Sequence, residues 1–219
     1  MTFDGAGGGT GMSPVSMMNE GSIPTIYLEA LVVGCLDMIK KKNPNVRLPT
    51  ITIAGGFANE TQIFKALAMG APYIKCIAMA RAPITAAMKG KYVGEIIKKN
   101  EVNYALLRNL GFPKEKDPNT LTLNEAFVEY DNLIRTYNRE IPTSAIGVYT
   151  YFTSKLGIGL KHLLAGVRKF NLDLIARDDI AYISQRAENV CNTWNLGIKS
   201  QESIDFELVK KEIYSGNYE

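Results

Sequence analysis

The sequence contains few of the residues on which several enzyme classes depend. It has one histidine, His162, and three cysteines, Cys35, Cys76 and Cys191, among 219 residues. Hydrolases that use Ser-His or Cys-His pairs, and HExxH zinc enzymes, need an imidazole together with other catalytic groups. His162 lies off the apolar stripe of its segment, so we expect a surface histidine. Because the cysteines are odd in number and widely spaced, we expect three buried thiols, no disulfide framework and no metal site.

Long apolar runs and strong net charge are also absent. No stretch approaches the roughly 20 apolar residues of a membrane helix, and the N-terminus lacks the pattern of a signal peptide. The 25 basic and 22 acidic side chains leave a net charge of +3, which gives little support to nucleic-acid binding. With 46% hydrophobic residues the composition is that of a globular protein. We therefore expect a soluble cytoplasmic protein that binds neither nucleic acid nor membrane.

Strand and helix signals alternate in the first part of the chain. The segments, in order, are the end of a strand at residues 1–3, a helix at 24–42, a strand at 50–54, a helix at 59–68, a strand at 73–80 and a helix from Arg81. Alternation of this kind favours a parallel sheet that binds ligands at the carboxyl ends of its strands. We assign residues 1–92 to this partial α/β domain.

The remaining residues, 93–219, are predicted to form a mainly helical C-terminal extension. Strand signals vanish beyond about Lys91, and residues 148–170 carry a long apolar stripe at helical spacing. Asp178 is a plausible N-cap for a further helix. The apolar packing face of this helix would consist of Ile180, Ile183, Ala187 and Val190. The spacing favours a helical cap that packs on the sheet domain.

Three elements have the composition of a phosphate-binding site. Glycine turns that precede a helix direct backbone N–H groups at an anion, and glycine permits close approach. The first element is residues 7–11, with Ser13 nearby, and the second is Gly55-Gly56 at the end of a predicted strand. The third is residues 78–81, whose Arg81 adds a guanidinium. Adjacent strand ends share one phosphate at the last two strands of (β/α)8 barrels. Each glycine pair also fits an ordinary tight turn.

These residues resemble a known family. Residues 4–14 (DGAGGGTGMSP), 54–57 (AGGF) and 65–71 (KALAMGA) are similar, in order and spacing, to the C-terminal part of the FMN-binding domain of glutamate synthases. The resemblance extends over roughly residues 1–90. Residues 141–194 more loosely resemble the helical tail of a single-domain branch of that family.

The resemblance implies the C-terminal portion of a (β/α)8 TIM barrel, about three βα units, that holds FMN and is followed by the helical extension. The cofactor contacts it implies are Gly8, Gly9, Thr10 and Gly11 at the flavin face and Gly55, Gly56, Phe57, Met79, Ala80 and Arg81 around the phosphate. The implied activity is that of a glutamate synthase-like oxidoreductase, which reduces the imine of 2-oxoglutarate and ammonia to glutamate. Candidate substrate contacts are Ser13, Glu60 and Lys75, with Arg81 as a further clamp.

The sequence also departs from the family pattern. No cysteine cluster for an iron–sulfur centre follows Arg81, and no N-terminal glutaminase nucleophile is present. A (β/α)8 barrel takes about 250 residues and eight strands, whereas this chain supplies about three. We therefore expect a protein partner that supplies the N-terminal barrel strands, or self-association.

Two alternatives to this function remain open. One is an inactive barrel fragment that serves as an assembly module. The other is a TIM barrel with a different phosphate or nucleotide ligand, as in inosine monophosphate dehydrogenases, although no catalytic cysteine lies between Gly11 and Pro24.

Overall fold

The computed structural model describes residues 1–6 and 14–200, which form a mostly helical α/β structure. The helices are α1 (Val15–Glu20), α2 (Thr25–Lys42), α3 (Glu60–Met69), α4 (Arg81–Lys98), α5 (Tyr104–Asn109), α6 (Leu123–Ala126), α7 (Tyr130–Tyr137), α8 (Thr143–Thr150), α9 (Ile158–Gly166) and α10 (Gln185–Thr193). A π-helical segment, Tyr151–Gly157, joins α8 to α9, and 3-10 turns cover Pro118–Thr120, Leu172–Leu174 and Arg177–Asp179. The strands are β1 (Thr2–Asp4), β2 (Ile51–Ala54), β3 (Ile74–Ala78), β4 (Ala181–Tyr182) and β5 (Lys199–Ser200).

Strands β1, β2 and β3 form a parallel sheet in that order, which confirms the predicted sheet and a strand in the first residues. Thr2 pairs with Thr52, and Ala54 pairs with both Asp4 and Ala78. The pairing therefore aligns the carboxyl ends of the three strands. The described residues do not close a barrel.

Local sequence explains the two helices that flank β2. Helix α2 follows Pro24 and ends at Lys42, before Asn43, and its last turn holds three lysines, which interact favourably with the negative end of the helix dipole. The Lys40 ammonium also donates to the carbonyls of Pro44 and Val46, at 3.2 and 2.8 Å. Helix α3 ends at Met69, before Gly70. Both helices lie where the sequence predicts them.

By its internal contacts the chain divides into two compact units. The first contains Met1–Phe57, Gln62–Ala78 and the described residues from Leu164 onward, and the second contains Ala58–Thr61 and Met79–Leu163. The boundary proposed from the sequence at residue 92 stays a prediction.

The core of the first unit combines the sheet with helices from both ends of the chain. Its most buried members are Ala30 and Val33 of α2, Ile51 and Ile53 of β2, Ala66 of α3, Ile74 of β3, Val190 and Cys191 of α10, and Leu196. Helices α2 and α10 approach closely at Gly34, where an added Cβ would lie 2.7 Å from Cε3 of Trp194. Apolar side chains of α10 and of the segment after it are therefore part of the sheet's hydrophobic core.

The second unit contains helices and no strand among its described residues, and helices α4 and α8 are its central pair. They meet at glycines, because a Cβ at Gly90 would lie 2.5 Å from the Thr143 carbonyl oxygen and 3.1 Å from the Cα of Gly147. The surrounding apolar core consists of Val93, Ile97, Leu107, Leu121, Phe127, Leu133 and Ile146.

Three sequence predictions were wrong in whole or in part. Asp178 does not cap a helix, because it lies inside a 3-10 turn and α10 begins later, with the Ser184 hydroxyl accepting from the Ala187 N–H. Strands do not vanish after Lys91, since β4 and β5 form a short parallel pair. Of the three thiols predicted to be buried, Cys191 is buried, Cys35 is half-buried and Cys76 is exposed on β3. His162 is exposed, as expected.

Within residues 1–6 and 14–200, no helix is both long enough and apolar enough to span a bilayer.

Candidate functional site

Two of the predicted site segments directly follow strands of the parallel sheet. Ala54 ends β2, Ala78 ends β3, and the two residues are paired. Gly55-Gly56 follows the first strand directly, and Met79 follows the second. Ligands of open parallel sheets bind outside this edge, so its loops are the best candidates for a site.

The loop after β2 requires glycine. Gly55 and Gly56 have φ angles of 116° and 79°, in the region that other residues rarely adopt. A Cβ at Gly55 would lie 2.6 Å from Oγ1 of Thr25 and 2.9 Å from the backbone nitrogen of Gly5. By contrast, a Cβ at Gly56 would meet no atom within 4 Å. Gly55 is therefore needed for packing, whereas Gly56 faces open space.

A hydrogen bond from α2 fixes this loop. The Thr25 hydroxyl donates to the Gly55 carbonyl at 2.7 Å, and the Gly5 N–H donates to the Ala54 carbonyl at 2.9 Å. The turn is thus held from two sides while the space at Gly56 stays accessible. Three residues, Phe57, Ala58 and Asn59, separate this open glycine turn from α3. Glycine turns before a helix are a common setting for phosphate groups.

Five predicted contacts, Gly8, Gly9, Thr10, Gly11 and Ser13, lie outside the described residues. Phe57 is half-buried and packs against the core of the first unit, which gives it a structural role. Ala80 and Arg81 are exposed at the start of α4, where Ala80 occupies the N-cap position without a capping side chain.

Lys75 is not brought to the carboxyl edge of the sheet. It lies near the start of β3, three residues before Ala78, which corresponds to about 10 Å of strand. Its ammonium is 3.5 Å from a carboxylate oxygen of Asp173, and both side chains are largely exposed. This pair borders a small cavity that Leu67, Ala71 and Ile175 also line.

Glu60 begins α3 and is packed against the helical extension within the second unit. Its Oε2 is buried and has no hydrogen-bond partner. A Cβ at Gly159 would overlap the Glu60 side chain, so the glycine makes room for the carboxylate. Glu60 is therefore held close to the backbone of α9.

Sequence reasoning missed Tyr151, the first residue of the π-helical segment. Its hydroxyl donates to the Ala58 carbonyl at 2.9 Å and lies 4.0 Å from Sδ of Met79. Burial, and secondly the charge of Glu60, raise the pKa of this phenol above its usual value. Only the π-helix, a form enriched at functional sites, marks the position, and the sequence pattern does not reveal it.

A second overlooked group is Glu29 of α2, one helical turn after Thr25. Its side chain is only 2% exposed, and its Oε1 has no hydrogen-bond partner. Burial raises the pKa of this carboxyl well above its usual value. The sequence does not reveal this buried carboxyl, because the apolar residues around Glu29 in α2 indicate only a packing face.

No group of three or more His, Cys, Asp or Glu side chains within the described part of the chain is arranged to hold a metal ion.

Comparison with known proteins finds one similarity, in the first part of the chain. Residues 1–87 match the family model described as the conserved region in glutamate synthase. No curated protein and no solved structure gives a significant match. The matched range contains the parallel sheet, the glycine turn after β2 and the start of α4. Residues 1–87 are therefore similar to the conserved region in glutamate synthase, and this match covers less than half of the 219-residue chain.

Proposed function

We propose that the chain is part of an FMN-dependent glutamate synthase-like oxidoreductase, which reduces the imine derived from 2-oxoglutarate and ammonia to glutamate. The observation that carries the proposal is the open glycine turn at Gly55-Gly56, fixed by Thr25 at the carboxyl edge of the sheet. The family match over residues 1–87 supports the same chemistry.

In this proposal the Gly55-Gly56 turn binds the FMN phosphate. Its open side admits an anion, and the following helix α3 adds the positive end of its dipole. The resemblance also assigns phosphate contacts to Met79, Ala80 and Arg81, which follow β3 in the chain.

Bound FMN would supply the reducing equivalents for the imine carbon, so the chain's residues need only bind and orient cofactor and substrate. Glu60, the first residue of α3, is a candidate substrate contact, and its buried Oε2 is available to accept a hydrogen bond. Gly8, Gly9, Thr10, Gly11 and Ser13 are assigned to the flavin and substrate face by the resemblance alone.

We propose that further strands complete the sheet of β1, β2 and β3. Among residues 1–6 and 14–200, β1 and β3 each pair only with β2 and so form the sheet's edges. An unpaired parallel edge favours association with additional strands. We propose that these come from a partner polypeptide or by self-association.

Gel filtration after incubation with FMN, followed by a visible absorption spectrum, tests the function directly. We expect flavin to elute with the protein once the full set of strands is present. Gly56→Asp should abolish retention, because it places a carboxylate where the phosphate is to bind.

The matched control is Gly197→Asp. Gly197 also has a positive φ, 71°, lies in the same unit and has open space at its Cβ, so it reproduces the backbone strain without touching the turn. If both variants retain flavin as the unaltered chain does, the phosphate assignment is wrong. Retention of a nucleotide in place of FMN would favour a different phosphate-binding enzyme.

A further inference from the structure

The Tyr151 hydroxyl lies where two helices of the sheet region begin. The hydroxyl donates a hydrogen bond to the carbonyl of Ala58 at 2.9 Å, and Ala58 is two residues before α3. The hydroxyl oxygen is also 4.0 Å from the sulfur of Met79, which is two residues before α4. A phenol has one proton to donate, so the bond goes to the carbonyl and the sulfur makes a polar contact. One side chain therefore joins two segments that are 21 residues apart in sequence.

The position of Tyr151 is itself well fixed. Its ring makes an edge-to-face contact with Phe152, at 5.4 Å between centroids, and the Lys155 ammonium lies 5.7 Å from its centroid. Two turns further, Gly159 gives room to the Glu60 side chain, which belongs to the same start of α3. The helix that carries Tyr151 thus contacts the beginning of α3 at two points.

Spacing between the starts of α3 and α4 matters for phosphate recognition. Both helices follow the aligned strands β2 and β3, and the N-terminal turn of a helix attracts anions through its N–H groups. A group that binds both starts needs them at a fixed separation. Tyr151 links the two segments from outside the family-matched range 1–87.

We propose that Tyr151 is a positioning residue for phosphate binding, a role that rests on the proposed function: its hydroxyl holds the segments at Ala58 and Met79 at the separation that the cofactor phosphate requires. The helical extension thereby takes part in cofactor selection, and the enzyme's preference for a phosphorylated flavin depends on it.

The first experiment compares Tyr151→Phe with Tyr149→Phe in the full chain under the conditions in which the unaltered protein retains flavin. Tyr149 lies on the same helical run and is 40% exposed, so its variant controls for loss of a phenol. The measurement is the ratio of the dissociation constants for riboflavin and FMN. We expect Tyr151→Phe to lower this ratio about 5- to 10-fold, the value of one hydrogen bond, and Tyr149→Phe to leave it unchanged.

A ratio that is unaltered in Tyr151→Phe overturns the inference. General destabilisation would weaken both ligands together, so a parallel loss of riboflavin and FMN affinity also counts against a role in phosphate recognition.

Hydrogen exchange without ligand provides a second readout. In Tyr151→Phe we expect faster exchange in the peptides that contain Ala58 and Met79, and unchanged exchange in Tyr149→Phe. Equal exchange in all three proteins overturns the inference, whatever the flavin result. If the unaltered protein retains no flavin, the proposed function fails, and the exchange data alone then decide whether Tyr151 joins the two segments.

Discussion

Arg177 and Asp37 form a two-point ion pair across 140 positions of sequence. Nη1 of the arginine is 2.8 Å from Oδ2 of the carboxylate, and Nη2 is 3.2 Å from Oδ1. Nε donates to the Ala71 carbonyl at 2.7 Å. Burial first, and then the hydrogen bond to Asp37, raise the pKa of Tyr73 to about 12, so this phenol remains a donor to the carboxylate. The 3-10 turn that carries Arg177 is thus bonded to α2 and to the loop before β3.

Arg177→Lys should therefore destabilise the first unit. An ammonium cannot reproduce the planar two-point contact or reach the Ala71 carbonyl at the same time. We expect a loss of about 1–3 kcal/mol in the free energy of unfolding, measured by urea titration.

The control for that variant is Lys75→Met. Lys75 also pairs with an aspartate, Asp173, but both side chains are largely exposed. The exposed fraction is 47% for Lys75 and 74% for Asp173. We expect a change within about 0.5 kcal/mol. An equal loss in both variants would contradict the special role of the Arg177 geometry.

Glu29 makes stability depend on pH. Its pKa is raised in the folded protein, so the folded state keeps a proton that the unfolded state loses above the usual pKa of glutamate. Stability is complete below that ordinary value and declines as the pH rises towards the folded-state pKa, by at most about 1.4 kcal/mol per pH unit.

Glu29→Gln should remove this decline, because the amide stays neutral. Urea titrations between acid and neutral pH should show the variant more stable than the unaltered chain at pH 7, with a smaller pH slope. The control, Glu20→Gln, changes an exposed side chain of α1 in the same unit. Should Glu29→Gln keep the original slope, the buried carboxyl is not the titrating group.

Much of the sheet region could be predicted from local pattern. Helix α2, bounded by Pro24 and Asn43, and strand β2, which ends at Gly55-Gly56, follow from periodicity and from the turn residues beside them. The family resemblance over the same part of the chain is confirmed by the match to residues 1–87. FMN and its contacts stay a prediction.

Structure set by distant partners could not be predicted. Asp178 resembles an N-cap, but its neighbour Asp179 accepts from the Ala176 N–H and pairs with Lys169 at 2.8 Å, which stabilises a 3-10 turn instead. Strand β4 exists through its pairing with β5, 18 residues later. The hydrogen bond from the Tyr151 hydroxyl to the Ala58 carbonyl joins residues far apart in sequence, so hydrophobic periodicity does not predict it.

The cysteines give a chemical test of the sheet. Cys76 is exposed on β3, whereas Cys191 is buried and its burial raises the pKa of the thiol, which lowers its reactive thiolate fraction. We expect one thiol to react quickly with a maleimide in the native protein, and Cys76→Ser to remove that fast reaction. Rapid labelling of Cys191, located by peptide mass, would contradict the core described for α10.

Gly90 allows α4 and α8 to meet backbone to backbone, and it provides the sharpest test of the second unit. A methyl group there would lie 2.5 Å from the Thr143 carbonyl oxygen, which is part of a helix and cannot move aside alone. Gly90→Ala should therefore destabilise the second unit by about 1–3 kcal/mol, although alanine is the better helix former. Gly166→Ala is the control, because Gly166 ends α9 without neighbours near its Cβ and should be neutral or slightly stabilising. Thermal unfolding followed by circular dichroism measures both variants. If Gly90→Ala is as stable as Gly166→Ala, helices α4 and α8 do not approach as closely as described.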